Sequence, residues 1–265
     1  MISTTLAAAA FGADPGRWPL PAARNADELL LRAVAAGGQG RYSSANADLA
    51  ELLRREPRGR RASLAMSTRA SFHRQLGWHA HARGWDGRAL ALAGRDPESG
   101  VDALIGLAAD ALGLGRLAAS AALLDGAAGV MGSAGSLAPR LAIRMAWVSS
   151  ELAMASGEGA VALNHAQRGQ ELAVQAFPAL CRHRVKSEVV LAAALCSSGD
   201  LAGSRAVADA ALADTQSHGL VPLRWALACL LADIGSSAHT GAEVVEIRDL
   251  SATFITRHGG RLSSR

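Results

Sequence analysis

Five of the eight prolines recur every 39 to 44 residues, and this spacing constrains the fold more than any other feature of the chain. They are Pro57, Pro97, Pro139, Pro178 and Pro222. Proline in the first turn of a helix loses no hydrogen bond, because the N–H that it lacks would have no partner there. An internal period of about 40 residues is typical of stacked helical units. The spacing therefore predicts a helical unit that begins near each of these prolines.

A second marker, a glycine followed five residues later by alanine or serine, lies inside each unit. The glycines are Gly40, Gly84, Gly115, Gly157 and Gly199. Glycine readily takes the left-handed conformation that ends a helix, and a small residue lets the next helix pack closely. Apolar residues recur at three and four residues on both sides of the glycine, as in 101–112. Each unit is therefore predicted to be a hairpin of two helices.

These markers predict an all-α chain of about six stacked hairpins. Their expected ranges are 26–55, 58–95, 97–130, 139–175, 178–217 and 222–258, which together form one repeat domain over residues 26–258. Residues 1–25 are expected to form an N-terminal arm, because Pro15, Pro19 and Pro21 interrupt any regular pattern there. Residues 259–265 are expected to form a flexible tail.

The composition fits this fold and excludes several functions. Hydrophobic residues make up 50% of the chain and aromatic residues only 4%, which argues against a large sheet. A net charge of +4 over 265 residues argues against a nucleic-acid-binding domain. The three cysteines show no CxxC pairing, which indicates a reduced protein of the cytoplasm. No apolar stretch is long enough to predict a transmembrane helix, so no membrane partner is expected.

With these markers the chain resembles the tetratricopeptide-repeat (TPR) superfamily. In that family a Leu-Gly pair lies shortly before the hairpin glycine, as Leu76-Gly77 lies before Gly84, and a small residue lies twelve residues after it, as Ala127 follows Gly115. The repeat here is about 42 residues rather than the family's usual length of about 34. Longer units of this kind are similar to TPR-like regions of bacterial transcriptional regulators and peptide-sensing proteins. The resemblance implies a right-handed α-solenoid with a concave binding groove.

The resemblance also implies which side chains line that groove, since the family places them thirteen, ten, six and three residues before the hairpin glycine. The candidate binding residues are Arg74, Trp78, His81, Arg144, Trp147, Glu151, Lys186 and Trp225. Arginine and tryptophan dominate the energetics of protein interfaces. A cationic groove with tryptophans suits an extended peptide that carries acidic residues or a free carboxylate. The competing interpretation is that the tryptophans are core residues that fill the gaps left by alanine.

The sequence contains no pattern that predicts catalysis, a cofactor or a metal site. The segment 113–118 matches the dinucleotide-binding pattern G-x-G-x-x-A, but a helical stretch precedes it where the motif requires a strand. His79 and His81 are two residues apart, whereas two zinc ligands on one helix face are four apart. The arginine cluster over residues 54–61 is interpreted as a solvated loop.

The main functional prediction is a non-catalytic scaffold or adaptor that binds a protein or peptide partner and needs no cofactor. The alternative is a regulatory domain related to bacterial transcriptional regulators, which senses a small ligand or a signalling peptide and forms a homodimer. An open, charged groove would favour the scaffold, and a closed pocket would favour the sensor.

Overall fold

A computed structural model describes residues 3–176 and 180–263, and over these residues it contains thirteen α-helices and no strand. The all-α prediction is thus confirmed for the described parts of the chain. Pro178 lies outside them. The helices are α1 (Thr4–Phe11), α2 (Ala26–Gly38), α3 (Tyr42–Arg55), α4 (Arg60–Gln75), α5 (His79–Ala93), α6 (Pro97–Gly113), α7 (Leu117–Ser133), α8 (Pro139–Ala155), α9 (Gly159–Gln175), α10 (Cys181–Ser197), α11 (Leu201–Ser217), α12 (Val221–Ile234) and α13 (Gly241–Arg257).

Prolines mark helix starts, as the sequence predicts. Pro97 and Pro139 are the first residues of α6 and α8, and Pro222 is the second residue of α12. The side chain of Asp96 also caps α6, because its carboxylate accepts a hydrogen bond of 2.8 Å from the backbone N–H of Ser99. The free N–H groups at the start of this helix are thereby partly satisfied.

Glycines end the first helix of most pairs. Gly40, Gly115, Gly157 and Gly199 have φ angles between +71° and +91°, a region that suits glycine. Gly84 does not fit this pattern, because it lies inside α5. The turn before α5 is instead made by Gly77, with a φ of +86°. The predicted turn of the second pair was therefore placed seven residues too late.

The helices pack in the order of the chain. Each helix contacts the next one, and the even-numbered helices from α2 to α12 also contact one another in succession. Small buried residues bring paired helices close together. The hydroxyl of Ser150 donates to the carbonyl of Ala162 at 2.8 Å, and that of Ser204 donates to the carbonyl of Ala192 at 2.8 Å. These bonds satisfy polar groups where no water can reach.

The last helix packs against the first helices of the chain. Ile255 of α13 belongs to the same buried cluster as Tyr42 and Leu49 of α3. The backbone N–H of Ser43 also donates to the carbonyl of His258 at 2.9 Å. The two ends of the helical array are therefore in contact, and the even-numbered helices surround a common interior.

Both terminal segments have more structure than the sequence suggests. The N-terminal arm contains α1, which packs against α2 and α10. The amide of Gln39 donates to the carbonyls of Pro15 at 2.8 Å and Arg17 at 2.9 Å, which fixes the remainder of the arm. Residues 259–263, called the C-terminal segment below, lie against the start of α5. None of the helices in the described residues combines the length and apolar character needed to cross a membrane.

Candidate functional site

A cavity of about 400 Å³ is lined by the inner faces of the even-numbered helices and by His79 of α5. Every even-numbered helix from α2 to α12 contributes to its wall, so the cavity is bounded by the whole repeat array. A volume of this size is within the range of small-molecule sites, which is about 300–1,000 Å³. The polar and aromatic wall residues are Ser71, Arg74, Gln75, His79, Arg144, Trp147, Glu151, Arg182, His183 and Lys186.

Five of the eight predicted binding residues line this cavity. They are Arg74 of α4, Arg144, Trp147 and Glu151 of α8, and Lys186 of α10. Their distances from the turn glycines of their own pairs place them on the inward stripe of the first helix. Arg144, Trp147, Glu151 and Lys186 were counted from correctly assigned turn glycines. Arg74 was counted ten residues back from Gly84, and it faces inward because it also lies three residues before Gly77.

The other three predicted residues lie elsewhere. Trp78 and His81 line a second pocket, beside the C-terminal segment. Trp225 is partly buried against the core cluster of the first helices. The misassigned Gly84 explains two of these placements, because counting six and three residues back from Gly77 gives Ser71 and Arg74, which both line the cavity. The three tryptophans do not share one channel.

Arg74 is held by two carboxylates behind the cavity wall. Its Nη1 donates to Asp86 Oδ2 at 2.9 Å, to the carbonyl of Gly106 at 2.9 Å, and to Asp110 Oδ1. Both carboxylates are fully buried, so neither can touch a ligand. Burial raises the pKa of Asp110 to about 7; Arg74 opposes this effect and the neighbouring Asp86 adds to it. The pKa of Asp86 is raised by burial as well.

A second ion-pair network fixes Arg144 in the wall. Asp102 accepts a hydrogen bond from Arg140 at 3.0 Å, and its other oxygen contacts Arg144 Nη1. Burial and then repulsion from Arg74 lower the pKa of Arg144 to about 10. The guanidinium stays charged at neutral pH, but its environment disfavours that charge. A bound anion would stabilise the charged form of Arg144.

Arg182 lies in the same wall without a carboxylate partner among the described residues. Its Nη1 donates to the carbonyl of Val34 at 3.4 Å, which leaves the charge itself unneutralised. Burial lowers the pKa of Arg182. The adjacent His183 is buried, and burial together with three nearby arginines lowers its pKa well below the usual value. This imidazole is therefore neutral, and Arg182 is the uncompensated cation of the cavity.

Trp147 provides an apolar surface next to these charges. Its Nε1–H donates to Ser187 Oγ at 2.8 Å, and its ring stacks on His183 with centroids 5.4 Å apart. Lys186 Nζ lies 3.3 Å from Glu151 Oε1 and 6.0 Å from the centroid of the Trp147 ring. The cavity thus combines a cationic region with an aromatic one, an arrangement that suits an anion with an apolar body.

Arg182 and His183 are not among the residues predicted from the sequence. They lie four and three residues before Lys186, so they extend the same inward stripe by one helical turn. Continuing the stripe toward the start of α10 would have found them. Within the described residues, no group of three His, Cys, Asp or Glu side chains is arranged to hold a metal ion.

The sequence matches no model of a known protein family, and no curated protein is significantly similar to it. The geometry and the charge of the cavity are therefore the basis of the functional proposal.

Proposed function

We propose that the chain is a TPR-like, right-handed solenoid of six hairpins, α2–α3 to α12–α13, whose ends meet to form a closed ring. Two observations support this architecture. Sequential helices pack in pairs, and the first helices of successive pairs contact one another. The contact between α13 and α3 supports closure of the ring.

We propose that this ring is a non-catalytic, ligand-sensing regulatory domain whose cavity binds a small carboxylate or the carboxylate end of a short peptide. The observation that carries the proposal is Arg182, a largely enclosed cation that faces the cavity and has no described carboxylate beside it. An enclosed charge without a partner is costly, and an anionic ligand would remove that cost. Arg144, beside it in the wall, would donate to the same group.

The contact between the two ends of the helical array favours the sensor over the scaffold. An extended peptide needs a groove that is open along its length, whereas the contacts of α13 and residues 258–263 with the first helices join the two ends of the array. A ligand in the cavity touches several helix pairs at once, so its binding would stabilise their mutual packing. A partner protein or the second subunit of a homodimer would then recognise the ligand-stabilised packing. We also propose a place in the cytoplasm, because the three cysteines show no CxxC pairing in the sequence.

The proposal is tested by calorimetric titration of the full chain with glutarate, citrate and N-acetyl-dialanine, each paired with its neutral amide. We expect at least one carboxylate to bind and its amide to bind much more weakly. Arg182→Gln should weaken that binding by about tenfold to a hundredfold, the range for a lost charge-assisted hydrogen bond. Arg257→Gln, on the exposed end of α13, is the matched control and should bind like the wild type. Absence of carboxylate binding, or equal binding by Arg182→Gln, would contradict the proposal.

A further inference from the structure

A second pocket, of about 380 Å³, lies between the C-terminal segment and the helices α3, α4 and α5. Gly259 and Arg261 form one side of it, and residues of the three helices form the other. It shares no lining residue with the central cavity. We propose that this pocket binds a small aromatic carboxylate, with the aromatic ring against the helices and the carboxylate on Arg261.

The helix side of the pocket is mainly aromatic. The rings of Tyr42 and Phe72 meet edge to face, with centroids 5.4 Å apart and an interplanar angle of 62°. The ring of Trp78 meets His81 in the same manner, at 5.6 Å and 88°. Aromatic rings interact most favourably with planar groups that stack on them or meet them edge to face. A planar ring therefore fits this surface better than a branched aliphatic group does.

The opposite side carries the positive charge. The guanidinium of Arg261 lies 6.0 Å from the centroid of the Trp78 ring, and this residue has no carboxylate partner among the described residues. None of the described residues that line the pocket is acidic. Burial, with smaller effects of Arg69 and His81, lowers the pKa of His73, so its imidazole is a neutral hydrogen-bonding group. The charge of the pocket is thus positive, and the complementary ligand is an anion.

One further polar atom in the pocket lacks a partner. Asn46 Oδ1 is buried and accepts no hydrogen bond in the described structure. A buried acceptor without a partner is costly, and a hydroxyl or N–H group on the ring of the ligand would donate to it. Together with Arg261, Asn46 places polar groups at two edges of an aromatic slot. These two polar groups would fix the orientation of a ligand within the slot.

The ligand would also strengthen the contact between the two ends of the chain. The C-terminal segment is held by two hydrogen bonds, from Trp78 Nε1 to the carbonyl of Arg261 at 2.6 Å and from the N–H of Ser263 to the carbonyl of Leu76 at 2.8 Å. A molecule that touches both Arg261 and the α4–α5 region adds a further link across this junction. Binding should therefore protect the segment from cleavage.

The test is calorimetric titration of the full chain with 2-naphthoate, with the neutral 2-naphthamide as the matched probe. We expect naphthoate to bind at least tenfold more tightly than naphthamide, and Arg261→Gln to remove that preference. Arg257→Gln serves as the control and should keep it. Naphthoate should also slow the cleavage of the wild-type chain by trypsin after Arg261.

The Arg182→Gln variant distinguishes binding at this pocket from binding in the central cavity. We expect this variant to bind naphthoate as the wild type does, because Arg182 lies in the other cavity. Loss of naphthoate binding in Arg182→Gln but not in Arg261→Gln would overturn the second site and assign the ligand to the central cavity. Equal binding of naphthamide, or no binding of naphthoate to the wild type, would overturn it as well. None of these results decides whether the central cavity binds glutarate or citrate.

Discussion

Arg74 is the ion-pair partner of the two described acidic residues that are completely buried, Asp86 and Asp110. Its Nη1 links Asp86, Asp110 and the carbonyl of Gly106, which come from two different helices, α5 and α6. The two carboxylates are fully buried, so water cannot replace the guanidinium if it is removed. One residue therefore stabilises the junction of three helices and also forms part of the cavity wall.

Replacing Arg74 by methionine should therefore be strongly destabilising. The change leaves the buried carboxyl groups of Asp86 and Asp110 without their guanidinium partner, and breaking a buried ion pair costs about 3–5 kcal/mol. Urea denaturation measures the loss as a lower free energy of unfolding. Arg54→Met is the control, because Arg54 pairs with Glu51 on the exposed face of α3 and should matter far less. Similar losses in the two variants would contradict this account of Arg74.

The raised pKa of Asp110 makes stability depend on pH. The folded protein holds a proton on Asp110 up to a pH of about 7, whereas the unfolded chain releases it near pH 3.8. The free energy of unfolding should therefore fall as the pH rises between these values, by about 2 kcal/mol from about pH 5 to about pH 7, and level off above. Asp110→Asn should flatten this part of the profile. A stability that rises with pH equally in both proteins would show that the carboxyl is not protonated when folded.

At the scale of the helices, the sequence predicts the pairs better than it predicts their turns. Pro97, Pro139 and Pro222 mark helix starts because their chemistry is local. The turn of the second pair is harder, since Gly77 and Gly84 are both followed by alanine at the fifth position. The buried stripe of α5 runs through residues 82, 86, 89 and 93, which shows that the helix continues past Gly84. This stripe is difficult to predict from the sequence because Asp86 interrupts its apolar pattern. The burial of that carboxylate is explained only by its ion pair with Arg74 of another helix.

The candidate site was predictable only in part, for a related reason. The inward positions of α8 follow from the spacing within one helix, so Arg144, Trp147 and Glu151 were found. Whether a cation there is neutralised depends on side chains from other helices. In the described parts of the chain, Arg144 has Asp102 of α6 beside it, whereas Arg182 has the carbonyl of Val34 and no carboxylate. No local pattern encodes this difference.

Two glycines in neighbouring helices should respond in opposite ways to alanine. At Gly106 of α6, an added Cβ would lie 2.3 Å from Asp86 Oδ2, inside the buried ion-pair cluster. Gly106→Ala should therefore lower the free energy of unfolding by about 1–3 kcal/mol. At Gly126 of α7 an added Cβ meets nothing within 4 Å, so Gly126→Ala should raise it by about 0.5–1 kcal/mol. Thermal denaturation of both variants measures the direction in which the free energy of unfolding changes. A change in the same direction for both variants would contradict the described packing of α5 against α6.

At the scale of the whole molecule, closure depends on a small apolar junction between the last helix and the first ones. Ile255 is almost completely buried in a cluster with Tyr42 and Leu49 of α3. Ile255→Ala should lower the free energy of unfolding by about 2–5 kcal/mol and expand the molecule, because it removes a buried apolar contact between the two ends. Val245→Ala, at an exposed position of the same helix, is the control and should change neither property. Stability and dimensions that stay unchanged in Ile255→Ala would mean that the ends are not joined there.

Small-angle X-ray scattering of the intact chain tests closure, the central claim, most directly. A chain of 265 residues that folds on itself should have a radius of gyration of about 18 Å and a distance distribution with one compact peak. An open stack of helix pairs would separate the first and last helices and leave the cavity without its complete wall. A clearly larger radius, with a long tail in the distance distribution, would contradict the closed ring and the enclosed binding site that depends on it.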